Sequence, residues 1–298
     1  MKTSVIITTK NRQKELHAAI QSVLAQSHQP AEIIVMDDGS SYDLSQTSDS
    51  GFLSSVQYFY HEESLGGAAR RNEGAAKATG DILMFLDDDD SWEPQKIEDQ
   101  VTIFEHQPEV GLVYTGRKVV DAEDRDTVLR RIEPKKRGNG WPDILFNNFI
   151  GVTSGVAVRK NLFEQVGGFD TAAVARQDYD LWIRLVRVTE VDYDIGSNVR
   201  YTVSKQKGSQ ISSRSDLHGK AIHYLLNKYH KEIESFSSLE KRRLKSDWYH
   251  YVARKTHGVS YKSAAAWAVK GLIQYPRIKL FALLLPPAVL NKLIGRLA

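Results

Sequence analysis

Four consecutive carboxylates, Asp87-Asp88-Asp89-Asp90, follow the apolar run Ile82-Leu83-Met84-Phe85-Leu86. Like charges this close raise one another's pKa unless a cation stands among them. On an extended chain alternate residues face one side, so Asp87 and Asp89 are spaced to converge on one ion. Hard oxygen donors favour Mg2+ or Mn2+ over softer metals, and such ions keep positions open for phosphate oxygens. A solvated Asp-rich turn is the bland alternative. A second acidic cluster at a strand end favours the metal site. That cluster is Asp37-Asp38-Gly39-Ser40, directly after Glu32-Ile33-Ile34-Val35-Met36. Alone it reads as a βα turn, because Asp-Gly is a common turn pair. As a site, it sets a carboxylate against a ribose or base edge, with Gly39 allowing close approach.

The elements that must position these groups alternate regularly. Ser4 to Thr9 is a β-branched run read as a buried strand, and Leu16, Ile20, Val23 and Leu24 fall on one helical face. Val56 to Tyr60 is a further strand, Gly67 to Ala78 an Ala-rich helix, and Asp81 to Leu86 a fourth strand. Strands alternating with helices predict a parallel, doubly wound sheet, with ligands beyond the carboxyl ends of its strands. Both acidic clusters then face one crevice. Further on, Val110–Tyr114 and Gly155–Val158 read as strands, and Asp121 to Asn139 as a charged loop or excursion. Asn161 to Val166 reads as a short helix, and a helix from about Asp178 to Val188 buries Leu181, Trp182 and Leu185. The 298-residue chain has 41% hydrophobic residues and no Cys, which excludes a disordered chain, a disulfide scaffold and thiol chemistry. The N-terminus lacks the pattern of a secretory signal, and no apolar stretch of about 20 residues predicts a membrane span. A cytoplasmic location is expected, possible peripheral contact on the inner membrane face included.

Five segments in order resemble the inverting family 2 glycosyltransferases of GT-A fold. Ser4-Val5-Ile6-Ile7-Thr8-Thr9-Lys10-Asn11 is similar to their opening strand, with Thr8 and Lys10 standing where Pro and Tyr are usual. Val35-Met36-Asp37-Asp38-Gly39-Ser40 resembles the Asp-Asp-Gly-Ser segment, and Ala69-Arg70-Arg71-Asn72-Glu73-Gly74 the Ala-Arg-Asn-x-Gly segment. Phe85 to Pro94 resembles the DxD region. Val166-Gly167-Gly168-Phe169-Asp170 and Gln177 to Leu185 resemble the acceptor side, with Gln177 in place of the usual Glu and Asp178 kept. The resemblance spans about residues 3–212. It implies an α/β, GT-A (Rossmann-like), mostly parallel sheet flanked by helices. The catalytic domain would cover 1–215, with a nucleotide half to about 115 and an acceptor half from 116. A helical, basic extension would follow over 216–298.

The resemblance further implies a single in-line displacement on a nucleotide-diphosphate sugar, UDP-sugar by family habit, with a glycan or lipid-linked hydroxyl as acceptor. Asp178 would be the general base. Its competing role is a helix N-cap. Thr8, Lys10, Asp37, Asp38, Arg70, Arg71, Asp87 and Asp88 would surround the nucleotide. Asp87 and Asp89 would hold Mg2+ or Mn2+, which offsets charge on the leaving diphosphate. Lys205 and Lys207, before Ser209-Gln210-Ile211-Ser212, could add positive charge, although a solvated surface is the favoured reading for them, and Trp92 or Trp141 could stack on a sugar ring.

Rival classes fit less of the sequence. A haloacid-dehalogenase-type phosphatase would use Asp87 as nucleophile, but its downstream Lys and second acidic pair are not found in order. Nucleotidyltransferases, dinucleotide oxidoreductases and P-loop enzymes require glycine-rich motifs missing here. A non-catalytic sugar-nucleotide-binding protein would not need Asp178 with Asp87 and Asp89. The tail carries its own signal. From Trp248 to Ala298 there are eight Lys or Arg and no Asp or Glu. Removing those eight from the chain's net +3 leaves −5 on residues 1–247. Leu280 to Leu290 is apolar, too short to span a bilayer, and flanked by Arg277, Lys279, Lys292 and Arg296. This predicts peripheral membrane contact through 270–298, with no nucleic acid expected. Packing on protein is the competing reading.

Overall fold

The computed structural model describes residues 1–47, 50–203 and 215–294, excluding the side chains of 215, 216 and 291–294. Lys205, Lys207, the 209–212 segment and Arg296 therefore lie outside the described residues, as does the side chain of Lys292. The chain divides into two units, Met1–Thr171 with Gln177–Lys205, and Ala172–Arg176 with Gln206–Ala298.

The first unit begins β1 (Thr3–Thr9), α1 (Gln13–Leu24), β2 (Glu32–Asp38), β3 (Gln57–His61), α2 (Gly67–Lys77), β4 (Ile82–Asp87). It continues β5 (Ser91–Trp92), α3 (Lys96–His106), β6 (Val110–Tyr114), β7 (Arg117–Asp121), β8 (Val128–Ile132), α4 (Asp143–Phe146). It closes with β9 (Val156–Arg159), α5 (Lys160–Gln165), α6 (Gln177–Leu185), β10 (Glu190–Tyr193) and β11 (Val199–Val203). Seven strands form the main sheet in the order β10-β6-β9-β4-β1-β2-β3. All neighbours run parallel except β9, which is antiparallel to both β4 and β6. The sheet is thus mostly parallel rather than uniformly so.

Both faces of the central strands are apolar, as burial under helices on both sides requires. Val5, Ile7, Ile33, Val35, Met84 and Leu86 meet Leu16, Ile20 and Val23 of α1 and Ile97, Val101 and Phe104 of α3. The alternate residues Ile6 and Met36 meet α2. Gly74 makes that approach possible, because a Cβ there would stand 2.7 Å from Ile6 Cγ2 and 3.2 Å from Met36 Cγ. Phe85 extends this face into a ring cluster with Phe163 and Phe169, the latter against Trp182.

A second sheet, ordered β5-β11-β7-β8, was not legible in the sequence. The segment expected to be a loop or excursion over Asp121 to Asn139 contains β8, which pairs antiparallel with β7. Its residues Val128 to Arg131 are exposed, so the strand carries no apolar alternation to announce it.

The second unit is helical: α7 (Ser215–Lys228), α8 (His230–Glu234), α9 (Ser238–His257), α10 (Tyr261–Gln274), α11 (Ile278–Ala282) and α12 (Pro287–Ile294). A capping box of Ser237 and Glu240 starts α9. The apolar Leu280–Leu290 stretch is split by the fold. Leu280 and Leu283 pack with Ala253 and Ala268, whereas Ile278, Phe281 and Val289 are exposed. No helix among the described residues is long and apolar enough to cross a membrane.

Candidate functional site

The carboxyl ends of β1, β2 and β4 stand side by side, with Thr8 in register between Met36 and Asp87. Asp87 ends β4. The next residues do not stay extended. A turn closes with the Asp90 N–H donating to the Asp87 carbonyl at 3.0 Å. The alternation expected to turn Asp87 and Asp89 to one side is therefore replaced by four distinct environments.

Asp87 is partly exposed, ion-paired with Arg71 of α2 and accompanied at its N–H by the Ser154 hydroxyl. Asp88 is buried, accepting from Thr9 Oγ1 at 2.8 Å and from Arg12 at 2.9 Å. Burial pushes its carboxyl up to about 6, against the opposing pull of Arg12 and with a further push from Asp89. Asp89 shares Arg12 at 3.0 Å. Asp90 is buried, accepting from Ser154 Oγ at 2.6 Å and from the Thr202 N–H at 3.0 Å. Burial, then the charges of Asp87 and Asp89, hold its carboxyl well above the usual carboxylate range. Repulsion anticipated from the sequence is thus present at the strand end, and arginines partly answer it.

The two residues proposed as metal ligands have suitable chemistry. Both are carboxylates, both keep some exposure, and the turn holds excess negative charge. Among the described residues no three His, Cys, Asp or Glu gather as a complete cage. A hard divalent ion held by Asp87 and Asp89 would complete its shell with water and ligand oxygens, as Mg2+ commonly does.

The second acidic cluster is enclosed by protein donors. Asp37 is fully buried and accepts from Tyr58 Oη at 2.7 Å and the Ser40 N–H at 2.9 Å. Asp38 accepts from Ser64 Oγ at 2.7 Å, the Leu65 N–H at 2.8 Å, the Gly66 N–H at 3.0 Å and Arg70 Nε at 3.0 Å. Arg70 is itself buried and also holds Glu73 and the Glu63 carbonyl. Asp38 and Arg70 therefore fix the 63–66 loop against the start of α2. Their neighbour Arg71 turns the other way, to Asp87. Lys10 is exposed at the end of β1. Asn11, in the left-handed region at φ 55, ties this end to the second cluster by donating from its N–H to Ser40 Oγ and accepting at its side-chain oxygen from the Ser41 N–H.

Asp178 lies within the first turn of α6, one residue past its start, where a negative charge suits the helix N-terminus. Its carboxylate accepts from the Tyr179 N–H. The helix is shorter than expected, ending at Leu185, and it buries Leu181, Trp182 and Leu185 as anticipated. Arg117, at the start of β7, is lowered from the usual guanidinium range by burial first, with Asp90 and Asp178 among the charges that pull it back up. Tyr201 of β11 is raised by burial first and then by Asp90, Asp87 and Asp89, so the small sheet also borders the acidic turn.

The structure corrects one aromatic expectation. Trp92 is buried, donates from Nε1 to the Ser154 carbonyl at 2.8 Å, and covers Lys96 Nζ at 3.9 Å, so it offers no face to a sugar. Lys96 is itself buried and bonded to Gln100, and burial pulls its ammonium down to about 7 against Asp194. Trp141 remains half-buried, under the Arg187 guanidinium at 5.0 Å. Thr9, Arg12, Arg117, Ser154 and Tyr201 were missed by sequence reasoning. Thr9 sits in the opening-strand segment without having been singled out, Arg12 precedes α1, and the turn and the second sheet bring the other three to the carboxylates.

Comparison with known proteins follows this geometry. The Glycosyl transferase family 2 model matches residues 4–167, more than half of the chain. A Haemophilus influenzae protein described as an uncharacterized glycosyltransferase is 31% identical over 233 residues, covering 78% of each chain. The glucosyl-dolichyl phosphate glucuronosyltransferase of Haloferax volcanii is 31% identical over 185 residues, covering 57% of this chain and 56% of that one. Among solved structures, S. aureus TarS 1-349 in complex with UDP-GlcNAc superposes with a TM-score of 0.60 at 16% identity, over 99% of this chain and 92% of that one. That likeness bears on the fold. The family model and the relatives together establish that the chain belongs to glycosyl transferase family 2 and is a transferase.

Proposed function

We propose that the protein moves one sugar from a nucleotide-diphosphate sugar, preferably a UDP-sugar, to a hydroxyl acceptor with inversion at the anomeric carbon, in surface polysaccharide or glycolipid synthesis. The observation that carries this reading is the charged turn at the carboxyl end of β4, bordered by Arg71. The UDP-GlcNAc named with the TarS structure supports a uridine donor, and the Haloferax relative's name supports a lipid-linked acceptor.

In this reading the nucleotide lies across the ends of β1, β2 and β4. Thr8 and Lys10 border it on one side. Asp37, Asp38 and Arg70 shape the loops that receive the base and ribose. Arg71, Asp87 and Asp88 face the diphosphate. Mg2+ or Mn2+ held by Asp87 and Asp89 would neutralise charge on the phosphates. Asp178 takes the proton of the acceptor hydroxyl as its oxygen bonds to the anomeric carbon. The bond from that carbon to the diphosphate oxygen breaks, and its electron pair leaves with the nucleotide. Arg71, ion-paired to Asp87 before substrate arrives, is near enough to the turn to follow the growing negative charge.

The second unit gives the reading a membrane side. Val269 and Ile273 on α10 and Ile278 and Phe281 on α11 are exposed, beside Lys270 and Lys279, in a region without acidic residues. We assign this basic, apolar surface to an anionic bilayer face carrying the acceptor.

The test is transfer itself. Nucleotide sugars are screened for thermal stabilisation with and without Mn2+ or Mg2+, and the stabilising donor is assayed for nucleotide release in parent and Asp178→Asn. The proposal expects the variant to keep donor stabilisation and lose turnover by at least about 100-fold, within the usual range for a general base. Unchanged turnover removes Asp178 from its role.

A further inference from the structure

One buried hydroxyl grips both ends of the acidic turn. The β4–β9 ladder pairs Ile82 with Arg159, Leu83 with Val158 and Met84 with Ala157. Continuing that antiparallel register sets Ser154 opposite Asp87. Ser154 is fully buried, and its Oγ accepts from the Asp87 N–H at 3.2 Å and donates to Asp90 Oδ2 at 2.6 Å. A serine hydroxyl has a single proton. Because the Asp87 N–H takes the oxygen's lone pair, that proton is committed to Asp90. The short separation is that of a hydroxyl bonded to a carboxylate. The first residue of the turn, through its backbone, and the last, through its side chain, thus meet on one atom. The Asp90 N–H closes the turn onto the Asp87 carbonyl at 3.0 Å.

The gripping atom is itself held. Ser154 sits in the single helical turn Thr153–Gly155 that leads into β9. Its carbonyl accepts from Trp92 Nε1 at 2.8 Å. The Gly155 carbonyl accepts from Gln100 Nε2 at 3.0 Å and from the Thr115 N–H at 3.1 Å. Trp92, Gln100 and Thr115 are all buried, and they come from β5, α3 and the end of β6. The position of Ser154 Oγ is therefore fixed by three separate elements. The remaining contacts of the turn are of another kind. Asp87 meets Arg71, and Asp88 and Asp89 meet Arg12, through long side chains that keep some exposure. Those arginines offset charge, whereas the short, rigid hydroxyl sets the path of the backbone.

We propose that Ser154 is a positioning residue for the donor end of the reaction, setting the separation and aim of Asp87 and Asp89 toward the ion and the diphosphate. It acts through the Asp87 backbone and the Asp90 carboxylate and touches no ligand. Asp90 is then the internal anchor of the turn, with one oxygen on Ser154 Oγ and the other on the Thr202 N–H. This assignment rests on the transferase reading with Asp87 and Asp89 as ion ligands.

The experiment is calorimetric titration of UDP, with and without Mn2+, into the full chain of the parent, Ser154→Ala, Ser154→Cys, Ser154→Thr and Ser22→Ala. Ser154→Cys nearly keeps the volume but offers only a weak donor, and Ser154→Thr keeps the hydroxyl. Ser22 is the matched control: its Oγ accepts from the Trp92 N–H at 3.2 Å and donates to the Ala19 carbonyl at 2.7 Å, both partners lying outside the acidic turn. Both alanine variants should melt below the parent. Mn2+ should tighten UDP binding to the parent at least about 10-fold. Ser154→Ala and Ser154→Cys should cut that enhancement at least about 5-fold, as expected when a buried carboxylate loses its hydrogen-bond donor. Ser154→Thr should keep most of it and Ser22→Ala all of it. Parental enhancement in both Ser154→Ala and Ser154→Cys overturns the proposal. An equal loss in Ser22→Ala also overturns it, by making the effect one of general stability. A parent indifferent to Mn2+ overturns the ion-ligand assignment instead, and UDP alone then decides Ser154. Binding weakened at least about 5-fold in Ser154→Ala and not in Ser22→Ala supports the positioning role, and equal binding in the parent and Ser154→Ala overturns it.

Discussion

Substituting Asp38→Asn separates a framing role from a ligand-contacting one. The Asp38 carboxylate receives two backbone N–H groups, one hydroxyl and Arg70 Nε, and is only 7% exposed. An amide of the same shape keeps one acceptor oxygen and turns an NH2 group toward those donors. It also strips the buried Arg70 of its buried countercharge. Removing one partner of a buried, hydrogen-bonded pair costs about 3–5 kcal/mol. Glu73, which also contacts Arg70 but is one-third exposed, offsets part of that and brings the expectation to about 3 kcal/mol. For a domain of this size that is a fall of about 6–12 °C in the midpoint of the first unit's unfolding. Scanning calorimetry of Asp38→Asn, Arg70→Met and the double variant measures it. The double variant should lose at least about 1.5 kcal/mol less than the two single losses combined, because the surviving partner is no longer stranded. An Asp38→Asn protein that melts with the parent but no longer binds UDP would refute the reasoning and make Asp38 a direct contact.

Other expectations follow from single features. Gly74→Ala gains helix propensity worth about 1 kcal/mol but drives a methyl to 2.7 Å from Ile6, an overpacking of about 1–3 kcal/mol, so urea unfolding should show a net loss. Burial, then Arg254, Lys279 and Arg277, pull the His250 ring down to about 4. Its folded pKa lies below the unfolded value of about 6.5, so the unfolded chain binds the extra proton between those limits. Stability of the second unit should fall by about 1 kcal/mol as pH drops from 6.5 to 4, after allowance for the half-exposed ring, and His250→Phe should flatten that slope in pH-dependent denaturation. Flotation with anionic vesicles should recover the full chain and not the Ile273→Ser/Phe281→Ser variant. Equal recovery of the two, or equal binding to zwitterionic vesicles, would remove the membrane assignment.

Legibility of the fold tracked burial. Strands β1, β2, β4 and β6 announce themselves as apolar runs because helices or neighbouring strands cover them. The edge strand β8 and the two-residue β5 carry no such pattern, so the second sheet went unseen. The antiparallel insertion of β9 is set by pairing with β4 and β6, which no local periodicity records. At the site, the carboxylates were legible by type and position. Their division of labour was not, since it depends on one turn hydrogen bond at Asp90 and on Ser154, about 64 residues away along the chain. Trp92 shows the opposite failure: an aromatic beside the acidic run looked available, but a partner carbonyl and a buried ammonium had already claimed it.

Calorimetric titration of UDP into the parent, Asp87→Asn and Asp89→Asn, each with and without Mn2+, tests the central claim most directly. The account predicts that Mn2+ tightens UDP binding to the parent at least about 10-fold and that both variants lose this enhancement while keeping their fold. Binding to the parent that is indifferent to Mn2+, or an enhancement that survives in both variants, would contradict it.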